Sequence, residues 1–309
     1  MHLLFISACI AFFYKINEVS GSDWCYESQD PCTSHCHGPD IWQKTNDAKA
    51  CAGRSQSPIN IVTKKTKLDE RLTPFKFTGY NTVFTSDIVN NGHSVKVGVA
   101  SSATISGGQL ETTYKAVQFH LHWGSEGGPG SEHTVDGEQY PMELHIVHMK
   151  QSHSSLHEAL GDKTGVAVLG FFYEESSSDN RKYEPIINSL KEITQTSTNT
   201  TISLSLNFLI PPVKNMTNYY RYNGSLTTPG CAESVVWTVF EHPIPLSRAQ
   251  LKAFSKLKFS DGKPMVRTFR PVQPLNKRIV YYSASNTVLA SVALLVVSVA
   301  VAIRLSWPN

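Results

Sequence analysis

Short runs that alternate apolar and polar residues recur between residues 57 and 282, and this period of two is typical of half-buried β-strands. Helical patterns are fewer and shorter, and Ser247 is suited to cap the last of them. We therefore predict a single, mainly β domain on one large, mostly antiparallel sheet with peripheral helices. The predicted strands are 94–99, 116–123, 142–148, 165–173, 203–209 and 235–241, the predicted helices 155–160, 185–193 and 247–257, and the Ser/Thr-rich loops 176–179 and 194–201.

Both ends of the chain are apolar. The first twenty residues combine an apolar run with small residues, which is typical of a secretory signal peptide. Near the C-terminus, residues 288–303 carry no charge, but a membrane-spanning helix needs roughly 20 such residues. The small residues just upstream suit attachment of a glycosylphosphatidylinositol anchor at Ser283 or Ser285.

These features divide the chain into three parts. Residues 1–20 are the predicted signal peptide, 21–282 the folded domain, and 283–309 an attachment signal that is removed from the mature protein. A short single-pass helix is the alternative interpretation of the C-terminal segment. In either case the domain is expected at the cell surface, on the extracellular face of the plasma membrane.

Charge and cysteine content agree with this compartment. The chain has 28 basic and 25 acidic residues without a basic stripe or nucleic-acid-binding motif, so no nucleic-acid partner is expected. Five cysteines remain once the signal peptide has taken Cys9, and an oxidising compartment favours disulfides over a zinc cluster. The sequons at Asn199 and Asn215 are predicted glycosylation sites.

Three histidines are the strongest candidates for chemistry. His120 and His122 alternate in Phe-His-Leu-His-Trp, so on a strand both imidazoles point to the same face. His145, in a second strand-like run, could supply a third imidazole from a neighbouring strand. Three neutral imidazoles with one open position form a catalytic zinc site. For a lone His-x-His pair, two unrelated strands with half-buried histidines remain the alternative.

Nearby polar residues support a metal site. Gln118 and Glu143 each precede a histidine by two residues and therefore share its face. A zinc-bound imidazole needs such a partner on its other ring nitrogen, to fix its tautomer and orientation. Further along, residues 224–230 form a turn-rich segment that carries two threonine hydroxyls.

Five stretches of the chain, 118–124, 131–135, 143–148, 225–229 and 56–60, together closely resemble the α-class carbonic anhydrases. The resemblance extends from about Trp24 to Tyr281, and the opening Trp-Cys-Tyr-Glu resembles the membrane-anchored type IV members. It implies a ten-stranded twisted sheet with Zn²⁺ at the base of a conical cleft. It also implies reversible hydration of CO2 to bicarbonate and a proton, inhibition by sulfonamides, and bicarbonate transporters as candidate partners.

The resemblance also implies roles for individual residues. His93 matches the proton shuttle, Thr227 the residue that orients the nucleophile, Glu132 its acceptor, and Thr228 a hydroxyl that contacts bicarbonate. Lys96 departs from the family pattern, and we expect its charge to depress the pKa of His93. The apolar wall for CO2 matches Val147, Val168, Leu226, Val235 and Trp237.

The implied disulfides are Cys25–Cys36 and Cys51–Cys231. Cys32 is left over, and Cys25–Cys32 is a competing pair.

Two other functions compete with this interpretation. A cupin also contains His-x-His followed by Glu, but Tyr114 and His133 occupy positions where its motif requires glycine. A carbonic anhydrase-like ectodomain that has lost catalysis could act as a binding or adhesion module. Such domains typically lose a zinc histidine, whereas all three are present here.

Overall fold

Fifteen strands account for most of the regular structure in the computed structural model, which describes residues 24–29, 36–46, 48–100 and 102–283. The predicted signal peptide, Cys32 and residues 284–309 lie outside the described residues. The strands are β1 Asn60–Ile61, β2 Lys67–Asp69, β3 Phe75–Thr78, β4 Phe84–Asn90, β5 Val95–Gly98, β6 Thr104–Gly107, β7 Tyr114–Trp123, β8 Thr134–Val135, β9 Glu138–Gln139, β10 Met142–Lys150, β11 Val166–Ser176, β12 Thr198–Leu204, β13 Tyr219–Gly224, β14 Val235–Ser247 and β15 Tyr281–Ser283.

One large sheet contains twelve of these strands. Ten follow one another in the order β12-β4-β5-β7-β10-β11-β14-β13-β15-β2, and β3 joins through β6 to β7. Only the β11–β14 and β15–β2 pairs of this sheet are parallel. The prediction of one large, mostly antiparallel sheet is therefore confirmed. A small sheet of β1, β8 and β9 lies beside it.

The centre of the sheet is covered on both faces, because every residue of β10 and the first eight of β11 are buried. On one face, large side chains such as Trp42, Trp123 and Phe171 pack into the main core. The other face carries a second apolar cluster that includes Val147 and Trp237. The histidines of β7 and β10 lie beside this second cluster.

Helices are short and peripheral, as predicted. Ser247 caps the last α-helix of the described residues in a reciprocal arrangement with Gln250, which satisfies two buried backbone N–H groups that the helix itself leaves unpaired. No helix within the described residues is long and apolar enough to cross a membrane. The α-helices are α1 Leu156–Leu160, α2 Glu184–Ser189, α3 Leu206–Leu209 and α4 Arg248–Ala253, and the 3-10 helices are Pro39–Lys44, Lys49–Ala52, Thr63–Lys65, Arg181–Tyr183, Val213–Asn215 and Phe254–Lys256.

The predicted strand at 203–209 is correct only for its first two residues, and the predicted loop at 194–201 is wrong over its last four residues. The strand in this region is β12, Thr198–Leu204, which pairs with β4 at one end of the sheet. Its threonines suit a half-exposed edge strand. The apolar residues that follow form α3 instead, where Leu206 and Leu209 are buried at helical spacing. Apolar content alone did not separate these two elements.

Two disulfides are present among the described residues, and they are the pairs that the resemblance implied. Cys25–Cys36 closes the N-terminal segment, with the two cysteines 11 residues apart. Cys51–Cys231 joins the 3-10 helix Lys49–Ala52 to the loop after β13 across 180 residues. The long loop constrains the unfolded chain more strongly than the short one.

The two disulfides should therefore differ in what they contribute to stability. From loop length, replacing both Cys51 and Cys231 with serine should lower the free energy of unfolding by about 5 kcal/mol. The same change at Cys25 and Cys36 should cost about 3 kcal/mol. Urea unfolding of both double variants measures the difference, and equal losses would show that loop closure does not govern it.

Candidate active site

Strands β7 and β10 bring the three predicted histidines together. Their antiparallel register places His145 directly opposite His120, and His122 follows on the same face of β7. One ring nitrogen from each imidazole lies within 4.8 Å of the other two. His145 Nδ1 and His120 Nε2 are 3.3 Å apart. The sequence therefore identified a set of side chains that do converge.

The second ring nitrogen of each histidine is engaged by an acceptor. His120 Nδ1 lies 3.0 Å from Gln118 Oε1, and His145 Nε2 lies 2.7 Å from Glu143 Oε1. His122 Nδ1 lies 2.6 Å from the backbone carbonyl oxygen of Thr268. These bonds place the proton on the nitrogen that faces the acceptor, here called the outer nitrogen. The other, inner nitrogen of each ring therefore presents a lone pair toward the other two histidines.

Burial keeps all three imidazoles neutral. It lowers the pKa of His122 to about 3, with the neighbouring His145 as a second cause. The pKa values of His120 and His145 are also lowered, first by burial. A neutral imidazole is the form that binds a metal ion.

Two buried polar atoms at the cluster have no hydrogen-bond partner among the described residues. They are His122 Nε2 and Glu132 Oε2, which lie 3.4 Å apart. Unsatisfied buried polar groups are uncommon and call for an explanation such as a bound ion or water. A divalent cation that accepts the three imidazole lone pairs would satisfy His122 Nε2, so the donor set fits a metal.

Glu132 is fixed next to this cluster. Its Oε1 atom accepts a hydrogen bond of 2.8 Å from the backbone N–H of Arg270. Burial raises its pKa well above the ordinary value, although Arg270 and the hydroxyl of Thr227 act in the opposite direction. Thr227 is itself buried and sits in the loop between β13 and Cys231.

A buried network supports Glu143. Both oxygens of its carboxylate are used: Oε2 accepts from the backbone N–H groups of Glu132 and His133, and Oε1 contacts His133 Nδ1 as well as His145. Burial raises the Glu143 pKa, but these two histidines outweigh it and hold the pKa well below its usual range. His133 Nε2 in turn lies 2.6 Å from the Tyr222 hydroxyl, which donates to Ser57 Oγ at 2.9 Å.

The five residues predicted to form an apolar wall belong to one cluster. Val147 pairs with Val168 across β10 and β11, and Val168 pairs with Trp237 across β11 and β14. The Trp237 and His145 rings are 4.8 Å apart, which places this cluster against the metal-binding face. Val235 is buried in the same cluster, and Leu226 is partly buried against it.

His93 packs against the N-terminal segment. Its ring stacks on Trp24 with centroids 3.7 Å apart, and Tyr26 approaches it edge-on. Burial lowers the pKa of His93 to about 4. The expectation that Lys96 depresses this pKa is wrong, because Lys96 pairs directly across from His120 and lowers the pKa of that residue instead.

A family model of the eukaryotic-type carbonic anhydrases matches residues 37–284. The chain belongs to this family. Carbonic anhydrase 4 of Rattus norvegicus is 42% identical over 293 residues, which cover 93% of each protein. Carbonic anhydrase 15 of Mus musculus is 37% identical over 290 residues, which cover 89% of this chain and 88% of that protein. As a member of this family the protein is a carbonate dehydratase, an enzyme that hydrates CO2.

Sequence reasoning missed five residues that hold the site. Thr268 and Arg270 act through their backbone from far along the chain, and no local pattern marks them. Tyr222 and Trp24 have the appearance of ordinary core aromatics. His133 offered a signal, because it directly follows Glu132 in a polar stretch between two strands.

Shielding by Trp24 generates a prediction for the His93 pKa. Trp24→Ala should raise it from about 4 toward 6.5, because the ring that excludes water from the imidazole is gone. Lys96→Ala is the matched control and should leave it unchanged. NMR titration of the His93 ring protons measures both values. An equal rise in the Lys96 variant would mean that a neighbouring charge, not burial, sets the pKa.

Proposed function

We propose that this protein catalyses the zinc-dependent, reversible hydration of CO2 to bicarbonate and a proton at the extracellular face of the membrane. The observation that carries the zinc assignment is the convergence of three neutral imidazoles within 4.8 Å, each with its outer nitrogen engaged. An all-nitrogen set of three ligands is typical of catalytic zinc sites, which keep one position open for a reactant.

His120, His122 and His145 would hold the ion. When bound, zinc supplies a Lewis acid that makes water acidic enough to act as a nucleophile near neutral pH, which is well known for carbonic anhydrases. Because the three ligands are uncharged, they leave the positive charge of the ion undiminished. Gln118, Thr268 and Glu143 keep the imidazoles in the required tautomer and orientation.

Thr227 and Glu132 would orient the nucleophile. The backbone N–H of Arg270 fixes the position of the Glu132 carboxyl group. This group can accept a hydrogen bond from the Thr227 hydroxyl. That bond commits the threonine oxygen to accept a hydrogen bond from the attacking water or hydroxide, which directs a lone pair toward the substrate. Thr228, half-buried at the next position, would contact bicarbonate through its hydroxyl.

The substrate and the proton would use different residues: CO2 the apolar cluster beside His145, and the proton His93. CO2 is apolar, and the cluster around Val147, Val168 and Trp237 offers it a dry wall beside His145. The proton would leave through His93, as its imidazole can bind and release a proton. Stacked on Trp24, the ring has a pKa of about 4 and is a weak base, so proton transfer would use a rotamer that has left Trp24 and meets solvent.

Membrane attachment by a glycosylphosphatidylinositol anchor is part of this proposal. It is supported by the apolar tail, the small residues before it and the two disulfides. Of the two candidate attachment residues, Ser283 is buried in β15, where its hydroxyl donates to the Thr217 carbonyl and accepts from the Tyr219 N–H. We therefore favour Ser285. Bicarbonate transporters remain candidate partners at this surface.

Glycosylation at the two predicted sequons is also proposed. The Asn199 side chain is exposed on the edge strand β12, and its amide donates to Asp87 Oδ2 at 3.3 Å, a contact that a glycan would replace. Asn215 is half-buried, and its amide lies 3.0 Å from His242 Nε2, a contact that a glycan would replace.

Two variants test metal binding and orientation of the nucleophile separately. His120→Ala should lose stoichiometric zinc and nearly all CO2 hydration. Thr227→Ala should keep the zinc but slow hydration by about 10²-fold, the usual cost of removing one oriented hydrogen bond at a reaction centre. Metal analysis and stopped-flow hydration measure both effects, with the surface variant His157→Ala as the control.

These measurements also test the binding-module alternative. A wild-type protein that holds zinc but hydrates CO2 no faster than buffer would support the adhesion function and contradict ours. A sulfonamide should inhibit the wild type by occupying the open metal position. Inhibition that persists in His120→Ala would show that these histidines do not form the inhibitor site.

The anchor has its own test. Phosphatidylinositol-specific phospholipase C should release the protein from intact cells, and Ser285→Leu should block anchor attachment far more than Ser283→Leu. The stability of each variant domain is followed in parallel, because Ser283 belongs to the fold. Persistence on the membrane, with residues 288–309 detected in the mature chain, would instead establish a single-pass helix.

A further inference from the structure

A second pocket, of about 480 Å³, lies away from the metal-binding histidines. Tyr114, the first residue of β7, lines it and is six residues, or about 20 Å of extended strand, from His120. Its other walls come from β2, β13, β14 and the segment before β15. The lining is rich in charge, with four cations and two carboxylates: Arg71, Arg221, Lys277, Arg278, Asp69 and Glu111.

Both carboxylates are already paired with other cations. Asp69 accepts from the Arg71 side chain through both oxygens, at 2.8 and 2.9 Å. Glu111 lies 2.9 Å from the Lys150 ammonium and accepts from the Thr164 hydroxyl. Neither carboxylate is within ion-pair distance of Arg221, Lys277 or Arg278. Among the described residues, none of the three remaining cations of the pocket forms a close ion pair with a carboxylate; Asp69 acts on Arg221, and Glu233 on Arg278, only from beyond ion-pair distance.

Arg221 is the most unusual of the three, because its side chain is only 7% exposed. Its guanidinium donates to the carbonyl oxygen of Gly108 at 2.8 Å and to the Thr238 hydroxyl, and it packs on the rings of Phe75 and Tyr219. All of these partners are neutral. Burial lowers its pKa to about 10, so it stays charged at neutral pH. Asp69 stabilises this charge only from beyond ion-pair distance, so the buried guanidinium lacks a contacting counter-ion. Such burial is costly, and an anion in the pocket would compensate it.

Arg278 and Lys277 add charge at the mouth of the pocket. Arg278 is half-buried over the Tyr222 ring, and its hydrogen bonds within the described part of the chain go to the backbone carbonyls of Asn223, Pro274 and Leu275. Lys277 is exposed beside it. A planar guanidinium held by neutral groups, next to a mobile ammonium, is a common arrangement for recognition of phosphate oxygens.

We propose that this pocket binds a phosphate ester, with its oxyanion held between Arg221, Arg278 and Lys277. Three cations favour a dianion over a monoanion such as bicarbonate. The volume exceeds that of a phosphate group alone, so it also accommodates the alcohol part of an ester.

The surroundings of the pocket suggest two sources for such an ester. Tyr281 lines it and lies two residues before the last described residue, Ser283. An adjoining pocket of about 400 Å³ shares Arg278 and adds Lys65 and Lys67. This basic edge precedes the segment predicted to be anchored, so the ester is either a lipid headgroup or a soluble metabolite.

Calorimetric titration of the mature, anchored protein in detergent tests the site. The metal site is first filled with a sulfonamide. Asn223-Gly224-Ser225 is a third sequon and Asn223 lines the pocket, so an Asn223→Gln background is used to remove any glycan there. Glycerol 3-phosphate and glycerophosphoinositol 4-phosphate, a lipid headgroup that also carries a phosphomonoester dianion, are titrated separately at constant ionic strength. We expect saturable one-to-one binding, and the ester that binds more tightly identifies the source.

Variants show whether the named residues form the site. Arg221→Gln should weaken binding at least tenfold, the effect of losing one charge-assisted contact, and Lys277→Gln about threefold. Lys191→Gln, an exposed lysine outside the pocket, should bind as the parent does. If Arg221→Gln does not fold, Arg278→Gln takes its place. Absence of saturable binding, or equal affinity in Arg221→Gln, Arg278→Gln and Lys191→Gln, would overturn the proposal.

Discussion

The register between β7 and β10 is the constraint on which the rest of the site depends. It places His145 opposite His120 and Glu143 opposite His122. Because side chains alternate between faces, a slip of one residue would turn the histidines of one strand into the main core and remove the ligand set. The buried apolar residues on both faces of β10 make such a slip costly. The packing of the core therefore also determines the geometry of the metal site.

A backbone segment far along the chain from β7 and β10 also holds residues of the site in position. The segment around Thr268 holds His122 through one carbonyl and Glu132 through the Arg270 N–H. The Arg270 side chain, packed over Trp42, then donates to Gln56 and to the Ser57 carbonyl. A single extended segment thus connects the metal ligands to the start of the domain. Small displacements of this segment would reach both His122 and Glu132.

Much of the site could be predicted from sequence because its signals are local. The spacing of His120 and His122, and of Gln118 and Glu143 before their histidines, follows from the two-residue period of a strand. The type of the central strands was equally accessible, although β14 continues six residues beyond its predicted end at residue 241. What remained hidden depended on tertiary structure: backbone carbonyls such as that of Thr268, the stacking of Trp24 on His93, and the pairing of β12 with β4. Lys96 shows the same limit, since its position in sequence suggested an effect on His93 and the strand register directs that effect to His120.

The neutral state of the three imidazoles has a consequence for how the enzyme matures. A structural zinc site built from thiolates holds negative charges that repel one another until the ion arrives, and such domains often unfold without it. Here the ligands are uncharged and sit on two central strands whose packing is complete on both faces. The empty domain should therefore already be folded when it meets the ion. Under the proposed zinc binding, metallation would therefore follow folding as a separate step, and the sheet would not depend on the ion.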